Sequence, residues 1–164
     1  MNLTHLHLLL NHVSIMAALF SIAIYLYGML KKNSSLTNLA LMGFVFAALA
    51  AIPVYLTGED AEESVEHLAG VVKANIHEHE EAAEVSIWLI GISGAIALAA
   101  LIFKNVKFFS TSAFALIMTL LSIVSGLSIS YTGYLGGYIR HSEISTNIIQ
   151  QNSQGEQGGE KDSD

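Results

Sequence analysis

Residues 36–57 read LTNLALMGFVFAALAAIPVYLT, a run of 22 residues without a charge. The hydrocarbon core of a bilayer is about 30 Å thick, and a helix needs about 20 apolar residues to cross it. This run has that length. The only proline in the chain, Pro53, stands near its end, where a kink is tolerated in a membrane helix. Three further stretches have the same character: 8–30 before it, and 82–103 and 108–131 after it. The expected fold is therefore all-α, an integral membrane four-helix bundle forming one domain over residues 1–145. Composition agrees, with 52% hydrophobic and 13% charged residues, where a soluble protein carries about 25% charged.

Two connections between the spans are short and basic. Lys31 and Lys32 join the first pair, and Lys104 and Lys107 the last pair, with no acid in either. The positive-inside rule puts both in the cytoplasm. The N-terminus, the long central connection and the C-terminus then lie outside, which for a bacterial inner membrane is the periplasm. No basic region precedes the first apolar run, so a retained helix rather than a cleaved signal is expected. A net charge of −7 without a basic patch excludes a nucleic-acid partner. The absence of cysteine excludes thiolate metal sites, iron–sulfur ligation and covalent haem attachment. Small residues recur at helix-packing spacing: Ala47 and Ala51, Gly91 and Gly94, Ser122, Gly126 and Ser130. They are what close packing of helices in lipid requires.

The central connection, 58–81, has Ala61, Val65, Leu68, Val72 and Ile76 at near-helical spacing. It predicts a short amphipathic helix with Asp60 as N-cap, broken or bent near Gly70, its apolar face on the bundle or the membrane surface. After residue 145 the chain turns to Gln, Asn, Gly, Ser and Glu, so 146–164 reads as a disordered polar tail.

This topology gathers all seven histidines and all fourteen carboxylates on the outer side. The first span opens with His5, His7, Asn11 and His12. His5 and His12 share a helix face while His7 points elsewhere. His12 lies within the span and needs a partner or a ligand. Glu59, Glu62 and Glu66 present three carboxylates along one side of the connection, which a solvated acidic face also explains. His77, His79, Glu80 and Glu81 mark the entry of the third span, with Glu84 one turn deeper; the helix dipole accounts for several of these acids. Near the end stand Gly136 and Gly137, which allow a turn or a close backbone approach. They are followed by Arg140, the only arginine, and His141.

At His7 with Asn11-His12, Thr57-Gly58-Glu59-x-Ala61-Glu62, His79-Glu80 and Gly136-Gly137-x-x-Arg140-His141, the sequence resembles a group of small bacterial four-helix membrane proteins of unassigned function. Some members are linked or fused to Rieske-type iron–sulfur domains. The resemblance covers about residues 5–143, with Val13-Ser14 after His12 where the group has a proline. It implies the same fold and a respiratory-chain setting, but no established reaction.

Three functions follow as expectations. The first is a haem b or related redox site in the outer half of the bundle, which needs axial histidines from facing helices and no cysteine. His12 with His79 would bridge the first and third spans, with His141 and then His7 as substitute ligands and Arg140 for a propionate. Glu80 or Glu59 could pass protons, and the acidic face could steer a basic soluble electron carrier. The second is a divalent transition metal held by a subset of His7, His12, Glu59, Glu62, Glu66, His79, Glu80 and His141. The third is a cofactor-free structural or assembly subunit whose polar cluster meets other subunits of a respiratory complex. A transporter is disfavoured because no charged residue lies at mid-membrane, and nucleophilic catalysis has no supporting motif.

Overall fold

A computed structural model describes residues 3–67, 71–103 and 105–140. Four long helices dominate it: α1 (Leu3–Leu30), α2 (Ser34–Leu56), α4 (Lys73–Ile102) and α5 (Ser112–Arg140). A short α3 (Gly58–Glu63) follows α2, and a 3-10 turn (Lys107–Ser110) precedes α5. Among the described residues there is no strand. All four long helices are long and apolar enough to cross a membrane.

What faces outward decides the solvent. Phe20 is 60% exposed, Leu49 60% and Leu127 67%, while Ser21, Ser86, Ser93, Ser122 and Ser125 are buried. In water such an exterior would drive aggregation. In lipid it costs nothing, and helices are held by close packing with a few interhelical hydroxyl bonds, here Ser86 to Ser128 and Thr132 and Ser93 to Ser125. The chain is a multi-pass membrane protein whose apolar perimeter contacts lipid.

The α1–α2 hairpin sets the antiparallel start. Lys32 adopts a left-handed conformation (φ 51°), so the amides of Lys32 and Asn33 return to the carbonyls of Met29 and Gly28 and close α1. Asn33 then caps α2, its Oδ1 accepting from the amides of Ser35 and Leu36 at 3.0 and 3.2 Å. Beyond it, α1 packs on α2, α2 on α4, α4 on α5, and α5 more loosely back on α1. α1 and α4 therefore stand diagonally across the bundle axis.

Two glycines allow the closest approaches. A Cβ on Gly43 would collide with Ser21 Oγ of α1, and one on Gly94 with Ala48 Cβ of α2. Gly91, by contrast, has open space around it. Tyr25, Leu41, Phe44, Phe114 and Met118 fill the core towards the end that carries Lys31, Lys32 and Lys107, here called the basic end. Ala18, Ala47, Ala51, Ile90 and Ile129 fill it towards the opposite, histidine end.

The helices outrun the apolar stretches. α1 starts at Leu3 rather than residue 8, α4 at Lys73 rather than 82, and α5 runs from Ser112 to Arg140 rather than over 108–131. Hydropathy marks where lipid is, while a helix continues wherever its backbone bonds and neighbours hold it. The amphipathic helix expected over the central connection is shorter than its apolar spacing suggests. α3 ends at Glu63, Thr57 rather than Asp60 precedes it as the cap residue, and Val72 is already the cap of α4. Ile76 is buried within α4. Ala61 alone carries the apolar face of α3 inward, onto the start of α1. Leu68, Gly70 and the 146–164 tail lie outside the described residues.

Candidate cofactor site at the histidine end

Depth comes first. His7 stands 23 residues before the end of α1 at Leu30, and His79 stands 23 residues before the end of α4 at Ile102. At 1.5 Å per residue both rings lie about 34 Å from the basic end, just past a hydrocarbon core of about 30 Å. The two residues thus occupy one level on diagonally opposed helices, and each is half-buried. They stand close enough for the charge of one to act on the other.

Backbone carbonyls fix both rings. His7 Nδ1–H donates to the Val54 carbonyl of α2 at 3.0 Å, with Thr57 Oγ1 at 3.1 Å sharing the same proton. His79 Nδ1–H donates to the Thr132 carbonyl of α5 at 3.0 Å. A carbonyl only accepts, so in both rings Nδ1 carries the proton and, in the neutral imidazole, Nε2 carries the lone pair. Neither Nε2 has a hydrogen-bond partner among the described residues, where no side-chain nitrogen or oxygen is both fully buried and unpaired. Both lone pairs therefore face reachable space.

Glycine frames the two rings. A Cβ on Gly136 would lie 3.1 Å from His79 Cε1 and 3.4 Å from its Nδ1, so the ring rests against the bare backbone of α5. Gly58 stands beside His7, its Cβ position 3.9 Å from Cε1. The Gly136-Gly137 pair makes no turn, since α5 continues through it to Arg140. Close approach is the role of Gly136 alone, because nothing lies within 4 Å of a Cβ on Gly137. Below His79, Ser86 Oγ bonds Ser128 Oγ at 2.6 Å and Thr132 Oγ1 at 2.9 Å, tying α4 to α5 just under the site.

The expected pairing of His12 with His79 is corrected. His12 is exposed on the outside of α1, and its Nδ1–H donates to the Leu8 carbonyl of its own helix at 2.6 Å. Five residues separate His12 from His7, which puts them on different sides of the helix, and the packing of α2 selects His7 as the inward one. His5, His67 and His77 are exposed; His67 pairs with Glu66, and His77 stands within ion-pair distance of Glu80 and Glu81. Glu84 is exposed on the perimeter of the bundle. His141 lies outside the described residues, as does the side chain of Arg140.

The carboxylates divide into two kinds. Glu66 forms a 2.9 Å ion pair with Lys73, which holds its carboxyl below the usual range. Glu62 is pushed up to about 7, chiefly by a hydrogen bond to Glu80, then by desolvation and by the charges of Glu80, Glu66 and Glu59. That interaction runs from α3 to the first turns of α4, above the histidine level. Glu59 and Glu63 are exposed and line an open hollow with Glu62 and Glu66. Among the described residues, no three His, Asp or Glu side chains converge as a metal-binding group.

Of the partners that orient the rings, Val54 and Thr132 were not assigned to the site by sequence, whereas Thr57 and Gly136 stood in its motifs. A signal was present for some of them: hydroxyl residues and glycine at the histidine level of neighbouring spans. In comparisons with family models, curated proteins and solved structures, the chain finds no match.

Proposed function

We propose that the histidine end binds haem b between Nε2 of His7 and Nε2 of His79, and that the protein transfers electrons at the outer face of a bacterial inner membrane. The observation that carries this reading is the pair of Nδ1–H to carbonyl hydrogen bonds. A histidine that ligates iron through Nε2 needs its other nitrogen held in this way, which fixes the tautomer and the ring plane. Haem supplies four nitrogens of its own, so two axial histidines complete it. A bare zinc, iron or copper ion wants three or more protein donors. The donor set present thus favours haem over a non-haem metal. Gly136 lets the His79 ring lie against the backbone of α5, and Gly58 stands beside His7.

The lysines of the opposite end support a cytoplasmic location for it by the positive-inside rule, which puts the haem on the periplasmic side. The exposed acids of α3 and α4 suit a basic soluble electron carrier as redox partner. The test is an absorption spectrum of the purified protein after supplementation with haem. A low-spin Soret band is expected, lost in His7→Ala and in His79→Ala but kept in His12→Ala. No Soret band in the wild type, or equal loss in His12→Ala, overturns the assignment.

A further inference from the structure

We infer that the groove between α4 and α5 on the lipid-facing side of the bundle binds a membrane-borne quinol. The groove has a volume of about 480 Å³ and is lined by Glu78, Glu81, Ala82, Val85, Ser128 and Tyr131. That volume falls within the range of small-molecule sites, about 300–1,000 Å³.

Its chemistry runs in order along the helix axis. Glu78 and Glu81, at the outer end, are exposed carboxylates. Ala82 and Val85 follow one turn deeper and are apolar. Ser128 and Tyr131 supply hydroxyls from α5, with Ser128 held by its 2.6 Å bond to Ser86. Val85 and Tyr131 are each 56% exposed, so the mouth opens sideways onto the lipid rather than into the bundle. A ligand entering this way is an amphiphile that brings its head to the interface and leaves its tail in the membrane.

Charge selects the head. A phospholipid would set a phosphate against two carboxylates, whereas a neutral head with hydroxyl donors would give them the protons they accept. The choice of a quinol among neutral hydroxylic amphiphiles rests on the haem reading. The same two helices hold His79, which directly follows Glu78, and its hydrogen-bond acceptor Thr132, which directly follows Tyr131. Head groups in the groove would lie beside the histidine level, on the far side of one helix wall.

The chain carries its own probe. Trp88 is the single tryptophan, is exposed, and lies three residues after Val85 on the same face of α4. Its emission reports a ring seated beside it. The experiment titrates decylubiquinol, kept reduced under argon, into the full chain in lipid nanodiscs, once prepared without haem and once with it.

Saturable quenching of Trp88 is expected in both preparations. Ala82→Phe, which fills the groove, should leave only the linear quenching due to partitioning. Glu81→Gln should weaken binding about tenfold, the effect of losing one charge-assisted hydrogen bond. Leu98→Phe, several turns deeper on the perimeter, should bind as the wild type does. If Ala82→Phe loses helicity by circular dichroism, Val85→Phe fills the groove from its exposed edge instead. Linear quenching in the wild type, or saturable quenching unchanged by either filling variant, overturns the inference, as does equal competition by a long-chain alcohol. A Soret band without saturable quenching sinks the groove and spares the haem. Saturable quenching without a Soret band does the reverse.

Discussion

Two adjacent glycines should respond in opposite ways to the same substitution. Alanine is favoured over glycine in a helix by about 0.8–1.0 kcal/mol, and both Gly136 and Gly137 lie within α5. At Gly137 nothing stands within 4 Å of the new methyl, so Gly137→Ala should realise that gain. For a domain of this size it corresponds to about 2–4 °C in Tm. At Gly136 the methyl would sit 3.1 Å from His79 Cε1, and the ring would have to retreat by a few tenths of an ångström. It is not free to do so, because its Nδ1 is anchored 3.0 Å from the Thr132 carbonyl. Loss of that hydrogen bond costs about 1 kcal/mol, which offsets the propensity gain. Gly136→Ala should therefore melt within about 1 °C of the wild type, by the same scaling. Its histidine would also lose the orientation that presents Nε2, so bound haem should fall well below the level in Gly137→Ala. Thermal melts followed by circular dichroism in detergent, with haem titrations on the same samples, read both quantities. If Gly136→Ala gains as much stability as Gly137→Ala and retains its haem, His79 is not held against the backbone of α5 and the site is misplaced.

The Glu62–Glu80 pair predicts a pH dependence. The carboxyl of Glu62 titrates near 7 in the folded protein against an ordinary 4.5, so the folded state holds a proton that the unfolded state has released. The stabilisation that goes with this proton is thus fully present below about 4.5 and is lost as pH rises through about 7. Carbon NMR of labelled Glu62 should show that midpoint, and Glu80→Gln should lower it; a wild-type midpoint in the ordinary carboxylate range would show that the two acids do not interact in this way. At the α2–α4 contact, Gly94→Ala forces the backbones apart and should cost about 1–3 kcal/mol, whereas Gly91→Ala, with open space like that at Gly137, should gain about 0.8–1.0 kcal/mol in a denaturation series in sodium dodecyl sulfate. In the same series Ser86→Ala, which removes the bonds to Ser128 and Thr132, should cost about 1 kcal/mol, near 0.6 for each interhelical bond. No loss would mean that those hydroxyls find other partners.

The sequence by itself determined the four spans, the outward apolar surface and the gathering of the histidines away from the end that carries Lys31, Lys32 and Lys107. Each is a property of local composition: lipid solvates a segment according to the residues it contains, whatever its neighbours are. It also determined that His7 points away from the face shared by His5 and His12, because that angle is fixed by helical pitch. Which of those faces turns inward is not local. It follows from where α2 docks on α1, through contacts such as Gly43 against Ser21, and that docking made His7 rather than His12 the interior histidine. The early start of α4 at Lys73 is likewise a tertiary outcome: Ile76 is buried there although the surrounding residues are polar. That extension brings His79 to the level of His7. The division between Gly136 and Gly137, identical in sequence terms, was decided by which of them α5 turns towards the ring of His79. A helix axis carries no information about its own rotation, and only the packing of its neighbours supplies it.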